Sequence, residues 1–225
     1  MKVTLPRRAT AEFIGTALLL ATVVGSGIMG QRLSEGNVAV ALLANSIATG
    51  TALVALILTF GPVSGSHFNP IVTLADAWIG GIVWQDVPAY VLAQLSGAIA
   101  GVVVAHLMFG LPLLSFSTHA RSGGSQAFSE FIATFGLLAV IAGCARQGRV
   151  VVSIAVGGYI AAAYWFTSST SFANPAVTIA RSLTDTFAGI RPADVVGFIA
   201  AQLAGAFAGV LLFRWLAPLP ADVAD

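Results

Sequence analysis

The composition of this chain excludes an ordinary water-soluble domain. Of its 225 residues, 57% are hydrophobic and only 8% are charged, whereas about a quarter of the residues in a typical soluble domain carry a charge. The net charge of +1 gives no indication of a nucleic-acid partner, and the single cysteine, Cys144, excludes an intrachain disulfide and a cysteine-cluster metal site. The composition therefore indicates a protein of the lipid bilayer, and we expect neither a metal nor another cofactor.

Six apolar segments are long enough to cross a bilayer, for which about 20 residues are needed. In chain order, we predict spans at residues 9–29, 37–60 and 87–109, a polar connector at 115–126, and further spans at 127–145, 150–167 and 193–216. Two shorter apolar runs begin at Asn69 and Asn174. The predicted fold class is an all-α membrane protein with six transmembrane helices and two re-entrant half-helices, in one domain that covers residues 1–225.

The same motif begins both short runs, because residues 69–75 and 174–180 share the pattern Asn-Pro-x-Val-Thr-x-Ala. Asparagine is a preferred N-cap and proline is preferred at the first helical position. Each run gives a helix of about 15 Å, half of a hydrocarbon core of about 30 Å. Placed tip to tip, the two half-helices would cross the bilayer together and leave their asparagine NH2 groups facing the space between them. The residues predicted at this centre are Asn69, Pro70, Ile71, Asn174, Pro175 and Ala176.

The two halves of the chain also repeat each other outside this motif. Residues 11–16 match residues 129–134, and residues 93–102 match residues 201–210. Because each half contains three spans, the second half must enter the membrane from the opposite side. We therefore predict inverted repeats at about 9–110 and 127–217.

At these motifs the chain resembles the aquaporin and aquaglyceroporin (major intrinsic protein) family, and the resemblance covers essentially its whole length. It implies a passive transmembrane channel for small uncharged solutes, not an enzyme, that assembles as a homotetramer. It also implies cytoplasmic N- and C-termini in the inner (plasma) membrane. The basic residues agree weakly with that orientation: six would be cytoplasmic (Lys2, Arg7, Arg8, Arg146, Arg149, Arg214) and four outside (Arg32, Arg121, Arg181, Arg191).

In this family, four positions at fixed offsets from the two asparagines form the outer constriction. Here they correspond to Thr49, Ala162, Ser171 and Val177, which include neither the usual arginine nor an aromatic residue. This predicts a wide, neutral constriction that suits glycerol-sized polyols better than water alone. The constriction resembles that of a bacterial subgroup associated with arsenic detoxification, which implies trihydroxy arsenite and methylated arsenicals as solutes. Arg181 would either restore positive charge at the outer vestibule or, as we favour, anchor the half-helix at the interface by snorkelling.

Several other polar residues are predicted to serve the two re-entrant loops. Glu12 and Glu130 would form a proton relay or, as we favour, accept backbone N–H groups of the loops with help from Gln94 and Gln202. The groups predicted to line the pore are the backbone carbonyls of Gly65, Ser66, His67, Ser169 and Thr170. The side chain of His67 is predicted to line it as well.

Two rival functions stay open at this point. Inverted repeats and broken helices also occur in ion- or proton-coupled secondary transporters, for which only Glu12, Glu130 and His67 are candidate ionisable groups. A structural junction protein of the same fold would conduct nothing. A membrane enzyme is disfavoured because no pair of nucleophile and base is evident.

Overall fold

The computed structural model describes residues 3–216, and within that range every regular element is helical. The elements are α1 Leu5–Leu33, α2 Val38–Ser64, α3 Pro70–Trp78, α4 Val87–Phe109, α5 Gly124–Cys144, α6 Arg149–Phe166, α7 Pro175–Arg181 and α8 Val195–Leu216. Six of these helices are long and apolar enough to cross a membrane, while α3 and α7 are short. The predicted fold class is therefore confirmed. Lys2 and residues 217–225, which include the predicted cytoplasmic C-terminus, lie outside the described part of the chain.

The helices differ from their predicted bounds mainly at their ends. Helix α1 is longer than predicted at both ends, and α2 continues past Pro62 to Ser64. Helix α7 starts after Asn174 as predicted and ends at Arg181. The carbonyl of Arg181 accepts the backbone N–H of Ile190 at 3.2 Å, so the chain turns back there instead of continuing as helix.

Small residues allow the long helices to approach closely within one chain. A Cβ atom on Gly97 of α4 would collide with the carbonyl of Phe13 in α1, and one on Gly205 of α8 would collide in the same way with the carbonyl of Phe131 in α5. Gly101 and Gly209 repeat these close approaches one turn further along. The two Gly-x-x-x-Gly motifs therefore serve helix packing inside the monomer. These crossings hold α1 and α5, which carry Glu12 and Glu130, against the rest of the bundle.

Candidate functional site

The two asparagines cap their half-helices as the motif predicts. The side-chain oxygen of Asn69 accepts the N–H of Ile71 at 3.0 Å. That of Asn174 accepts the N–H groups of Ala176 and Val177 at 3.0 and 3.3 Å. Each asparagine has extended backbone geometry and is followed by a proline at the first helical position, which is the arrangement expected of an N-cap.

The asparagine NH2 groups tie the two half-helices together. Nδ2 of Asn69 donates to the carbonyl of Ala173 at 2.8 Å, and Nδ2 of Asn174 donates to the carbonyl of Phe68 at 2.8 Å. We predicted that both NH2 groups face the space between the tips, and this is corrected because each gives one hydrogen to the opposite loop. An amide carries two N–H donors. Both asparagines also line the cavity described below, so the second donor of each is available there.

The loops before the asparagines hold non-glycine residues in the left-handed region. In the first loop, Ser66 and Phe68 have φ of 55° and 50°, and in the second loop Thr170, Ser171 and Ala173 have φ of 61°, 49° and 48°. Left-handed backbone costs a non-glycine residue roughly 1–2 kcal/mol. Such a conformation persists only where the surrounding structure holds it in place.

A buried carboxylate holds the first loop. Oε1 of Glu12 accepts the N–H of His67 at 3.0 Å and the hydroxyl of Ser64 at 2.6 Å. Its Oε2 accepts the N–H of Phe68 at 2.7 Å and Nε2 of Gln94 at 2.8 Å. Glu12 has no exposed surface, so these donors replace the water that a charged carboxylate requires.

The second loop repeats this arrangement with Glu130. Its carboxylate accepts the N–H of Phe172 at 2.8 Å, the N–H of Ala173 at 2.9 Å and Nε2 of Gln202 at 2.6 Å. Gln94 and Gln202 also donate to the hydroxyls of the equivalent threonines, Thr73 and Thr178, at 2.9 Å each. Within residues 3–216, every hydrogen bond to the two glutamate carboxylates comes from an N–H or O–H donor. That pattern favours bracing of the loops over proton relay.

A cavity of about 120 Å³ lies beside the joined tips. One part of its wall is polar and consists of the two asparagines, loop residues and hydroxyl side chains. The rest is mostly apolar side chains from α1, α2, α5 and α6. Of the predicted site residues, the wall includes Thr49, Gly65, Ser66, His67, Asn69, Ser171, Asn174 and Val177. This combination offers hydrogen bonds along one side of a passage and a hydrophobic surface along the other.

Ala162 does not line the cavity, contrary to the prediction. It is exposed on α6, and Tyr164 lines the cavity instead, with its hydroxyl 3.2 Å from Oγ1 of Thr49. Residues two apart on a helix point in nearly opposite directions. A family offset that is wrong by two residues therefore selects a residue on the outer face of α6 and not the one that lines the cavity. The predicted absence of an aromatic residue was therefore wrong.

Ser169 and Thr170 are also absent from the cavity wall. The carbonyl of Ser169 accepts Nη1 of Arg121 at 3.1 Å, and the same Nη1 lies 3.4 Å from the Thr170 hydroxyl. These two residues therefore face the connector between α4 and α5. Ser171, Phe172 and Ala173 provide the second loop's part of the wall.

Arg181 lies inside the protein and not at the membrane interface. Its side chain is 2% exposed, Nε donates to the carbonyl of Ala188, and Cζ lies 3.4 Å from the ring centroid of Phe172. It lines the cavity together with Val177. The snorkelling interpretation was therefore wrong, and so was the prediction of a neutral constriction. We refer to Thr49, Tyr164, Ser171, Val177 and Arg181 as the neck.

The isoleucine of the first motif points away from the cavity. Ile71 is 1% exposed and lies in an apolar groove against α8, beside Ala75 and Leu203. Compared with Ala176, the equivalent residue of the second motif, Ile71 is larger, and its additional atoms pack behind the half-helix. Ile71 therefore does not narrow the cavity.

Comparisons with known proteins agree with this geometry. The family model described as "Major intrinsic protein" matches residues 1–152. The chain is 55% identical to "Aquaglyceroporin AqpS" of Rhizobium meliloti (strain 1021), over 94% of this chain and 91% of that protein. It is 34% identical to "Aquaporin NIP1-4" of Oryza sativa subsp. japonica, over 93% of this chain and 76% of that protein. The X-ray structure of the aquaglyceroporin from Plasmodium falciparum shares the fold, with a TM-score of 0.72, 22% identity and coverage of 98% of each chain.

Proposed function

Because this chain belongs to the major intrinsic protein family, which consists of membrane channels and not enzymes, we propose that small uncharged solutes cross the bilayer passively through the cavity beside Asn69 and Asn174. The observation that carries this proposal is the pair of cross-loop hydrogen bonds from the two asparagines. They join two helix starts at one point beside the cavity. A solute at that point meets fixed donors and needs no movement of the protein.

The proposed solutes are glycerol-sized polyols, trihydroxy arsenite and methylated arsenicals, with water as a further permeant. Leaving water costs an unpaired hydroxyl roughly 2–7 kcal/mol. The first-loop groups Gly65, Ser66 and His67, the asparagine amides and the neck hydroxyls supply replacement partners along the wall. Glycerol and trihydroxy arsenite each carry three hydroxyl groups on a small core, so one row of partners suits both.

We further propose that the channel is a homotetramer in the inner membrane, with both termini in the cytoplasm. In this orientation, His67 belongs to the cytoplasmic half of the path and the neck to the outer half. The family resemblance supports this orientation, and so does the small excess of basic residues, six against four, on the side assigned to the cytoplasm.

The experiment is stopped-flow light scattering of proteoliposomes with water, glycerol, urea and arsenite, comparing the wild type with Val177→Arg and Val177→Met. Val177 lies in the neck one turn from Arg181, so a second guanidinium there would fill the passage and repel the first. We expect Val177→Arg to reduce glycerol and arsenite flux at least tenfold, and Val177→Met to reduce it much less. Unchanged glycerol flux in Val177→Arg would show that the neck does not lie on the path.

The same vesicles test the rival function of coupled transport. A passive channel gives a solute flux that is independent of imposed pH and sodium gradients, whereas coupled transport follows them. Flux driven uphill by either gradient would exclude the proposed function.

A further inference from the structure

We propose that Arg181 is the cation barrier and an oxygen-binding donor of the neck, which makes the channel selective for oxygen-rich solutes over cations of similar size. This inference rests on the proposed function. It assigns a specificity-determining role to a residue outside the four constriction positions. The proposed chemistry is a guanidinium that donates to a solute hydroxyl or oxo group and repels ammonium-type cations and protons.

The first support is the placement of the guanidinium. Arg181 follows Val177 by one helical turn, so both project from the same face of α7 toward the cavity. Among the described residues, the guanidinium makes one hydrogen bond, from Nε to the carbonyl of Ala188. A guanidinium has five N–H donors, so the terminal nitrogens keep donors for a solute.

The second support is an unpartnered hydroxyl in the same wall. Ser171 is 3% exposed, lines the cavity, and its Oγ has no hydrogen-bond partner within residues 3–216. Buried polar groups are nearly always hydrogen-bonded. Oγ has almost no accessible surface in this conformer, so the Ser171 side chain must rotate toward the cavity before one solute with two or more oxygens satisfies Ser171 and Arg181 together, beside the hydroxyl pair of Thr49 and Tyr164.

The third support is that a second buried arginine reinforces the positive charge. Arg121 lies 5.1 Å from the same Phe172 ring, and its Nε donates to the carbonyl of Gly189 at 2.8 Å. Burial lowers the pKa of the Arg121 guanidinium to about 10, while the negative charge of Glu130 acts in the opposite direction. Arg121 is therefore protonated at pH 7. Ion pairs to a carboxylate are absent for both arginines among the described residues.

Phe172 explains how an arginine can be held at this depth. Its ring stacks beneath the Arg181 guanidinium and packs edge-on against Phe198 at 5.1 Å. An aromatic face stabilises a guanidinium without neutralising it. The side chain at position 172 thus fixes the charge in the neck, whereas a carboxylate partner would cancel it.

The test measures methylammonium entry, proton leak and the concentration dependence of glycerol flux in proteoliposomes. Arg181→Gln should raise methylammonium entry and proton leak at least tenfold, and shift the half-saturating glycerol concentration upward at least threefold. Arg181→Lys should keep the cation barrier because it keeps the charge. The matched control is Arg32→Gln, which removes an exposed arginine that also lies over a ring, Phe109.

A second pair of variants leaves Arg181 intact, in case its replacement prevents folding. Val177→Glu places a carboxylate one turn from the guanidinium and should admit methylammonium as Arg181→Gln does, whereas Val177→Gln should not. Cation entry at the wild-type level in both Arg181→Gln and Val177→Glu, with glycerol flux preserved, would overturn the inference. Absence of glycerol flux in the wild type would instead overturn the proposed function, so the two failures are distinguishable.

Discussion

The two re-entrant loops share a backbone arrangement but differ in charge. Each is held by a buried glutamate, and each receives a hydrogen bond from the asparagine of the other. The first loop begins with a glycine, Gly65 at φ 89°, and the Tyr90 hydroxyl donates to the Ser64 carbonyl at 2.9 Å. The group beside its His67 ring is a carboxylate, Asp76, at 3.5 Å from Nε2. The second loop lacks a glycine and is surrounded by Arg121 and Arg181. The repeat thus fixes the backbone of both loops, and the selectivity that we propose depends on residues at which the two halves diverge.

The largest effect is expected from removing the shared element, the carboxylate. Glu12→Ala and Glu130→Ala each leave at least two buried backbone N–H groups unpaired, at about 1–3 kcal/mol each. We expect each to lower stability by about 3 kcal/mol or more, with Glu12→Ala at least as severe because Glu12 also accepts from Ser64. Thermal unfolding in detergent, followed by size-exclusion fluorescence, measures this loss.

The control for these variants is Glu35→Gln, which changes an exposed glutamate in the loop after α1. It should unfold at the wild-type temperature. Full stability of either alanine variant would contradict the bracing role.

A smaller effect is expected where the two halves use the same helix crossing. Gly205→Ala drives a Cβ atom into the Phe131 carbonyl, and Gly97→Ala does the same at Phe13. Overpacking of this kind costs about 1–3 kcal/mol, so both unfolding temperatures should fall by similar amounts. Gly197→Ala, at a position on α8 with open space around it, is the matched control. Equal behaviour of Gly205→Ala and Gly197→Ala would show that the crossing tolerates the added atom.

The smallest effect concerns the hydroxyl pair in the neck. Tyr164→Phe and Thr49→Val each remove one partner of a 3.2 Å hydrogen bond, which contributes about 1 kcal/mol. Each single variant should change glycerol flux only a few-fold, and the double variant should add little to either. Fully additive effects in this double-mutant cycle would indicate that the two hydroxyls act independently.

The motif residues were the predictable part of this molecule because their chemistry is local. Asparagine is a preferred N-cap and proline is preferred at the first helical position, so the caps at Asn69 and Asn174 follow from a few adjacent residues. A buried glutamate in an apolar span requires donors, and the re-entrant loops are the nearest source of them. These inferences need no knowledge of the tertiary packing.

Two residues of the neck, Tyr164 and Arg181, were mispredicted because their positions depend on geometry that sequence spacing does not fix. The choice between Ala162 and Tyr164 turns on how tightly the chain passes from α6 to Asn174. The burial of Arg181 depends on the Phe172 ring and on the Ala188 carbonyl, which a return of the chain brings beside it. One available signal was the helical spacing of Val177 and Arg181, which places both on one face.

The most direct test of whether solutes pass through the neck is cysteine labelling, which is practical because the chain has a single cysteine to replace. On a Cys144→Ser background, Val177→Cys places a thiol in the cavity wall and Ala162→Cys places one on the exposed face of α6. Both are treated with a methanethiosulfonate reagent, labelling is verified by mass, and glycerol flux is then measured in proteoliposomes. We expect labelling to abolish glycerol flux in Val177→Cys and to leave it intact in Ala162→Cys. Block of the labelled Ala162→Cys channel, or undiminished flux through fully labelled Val177→Cys, would contradict it.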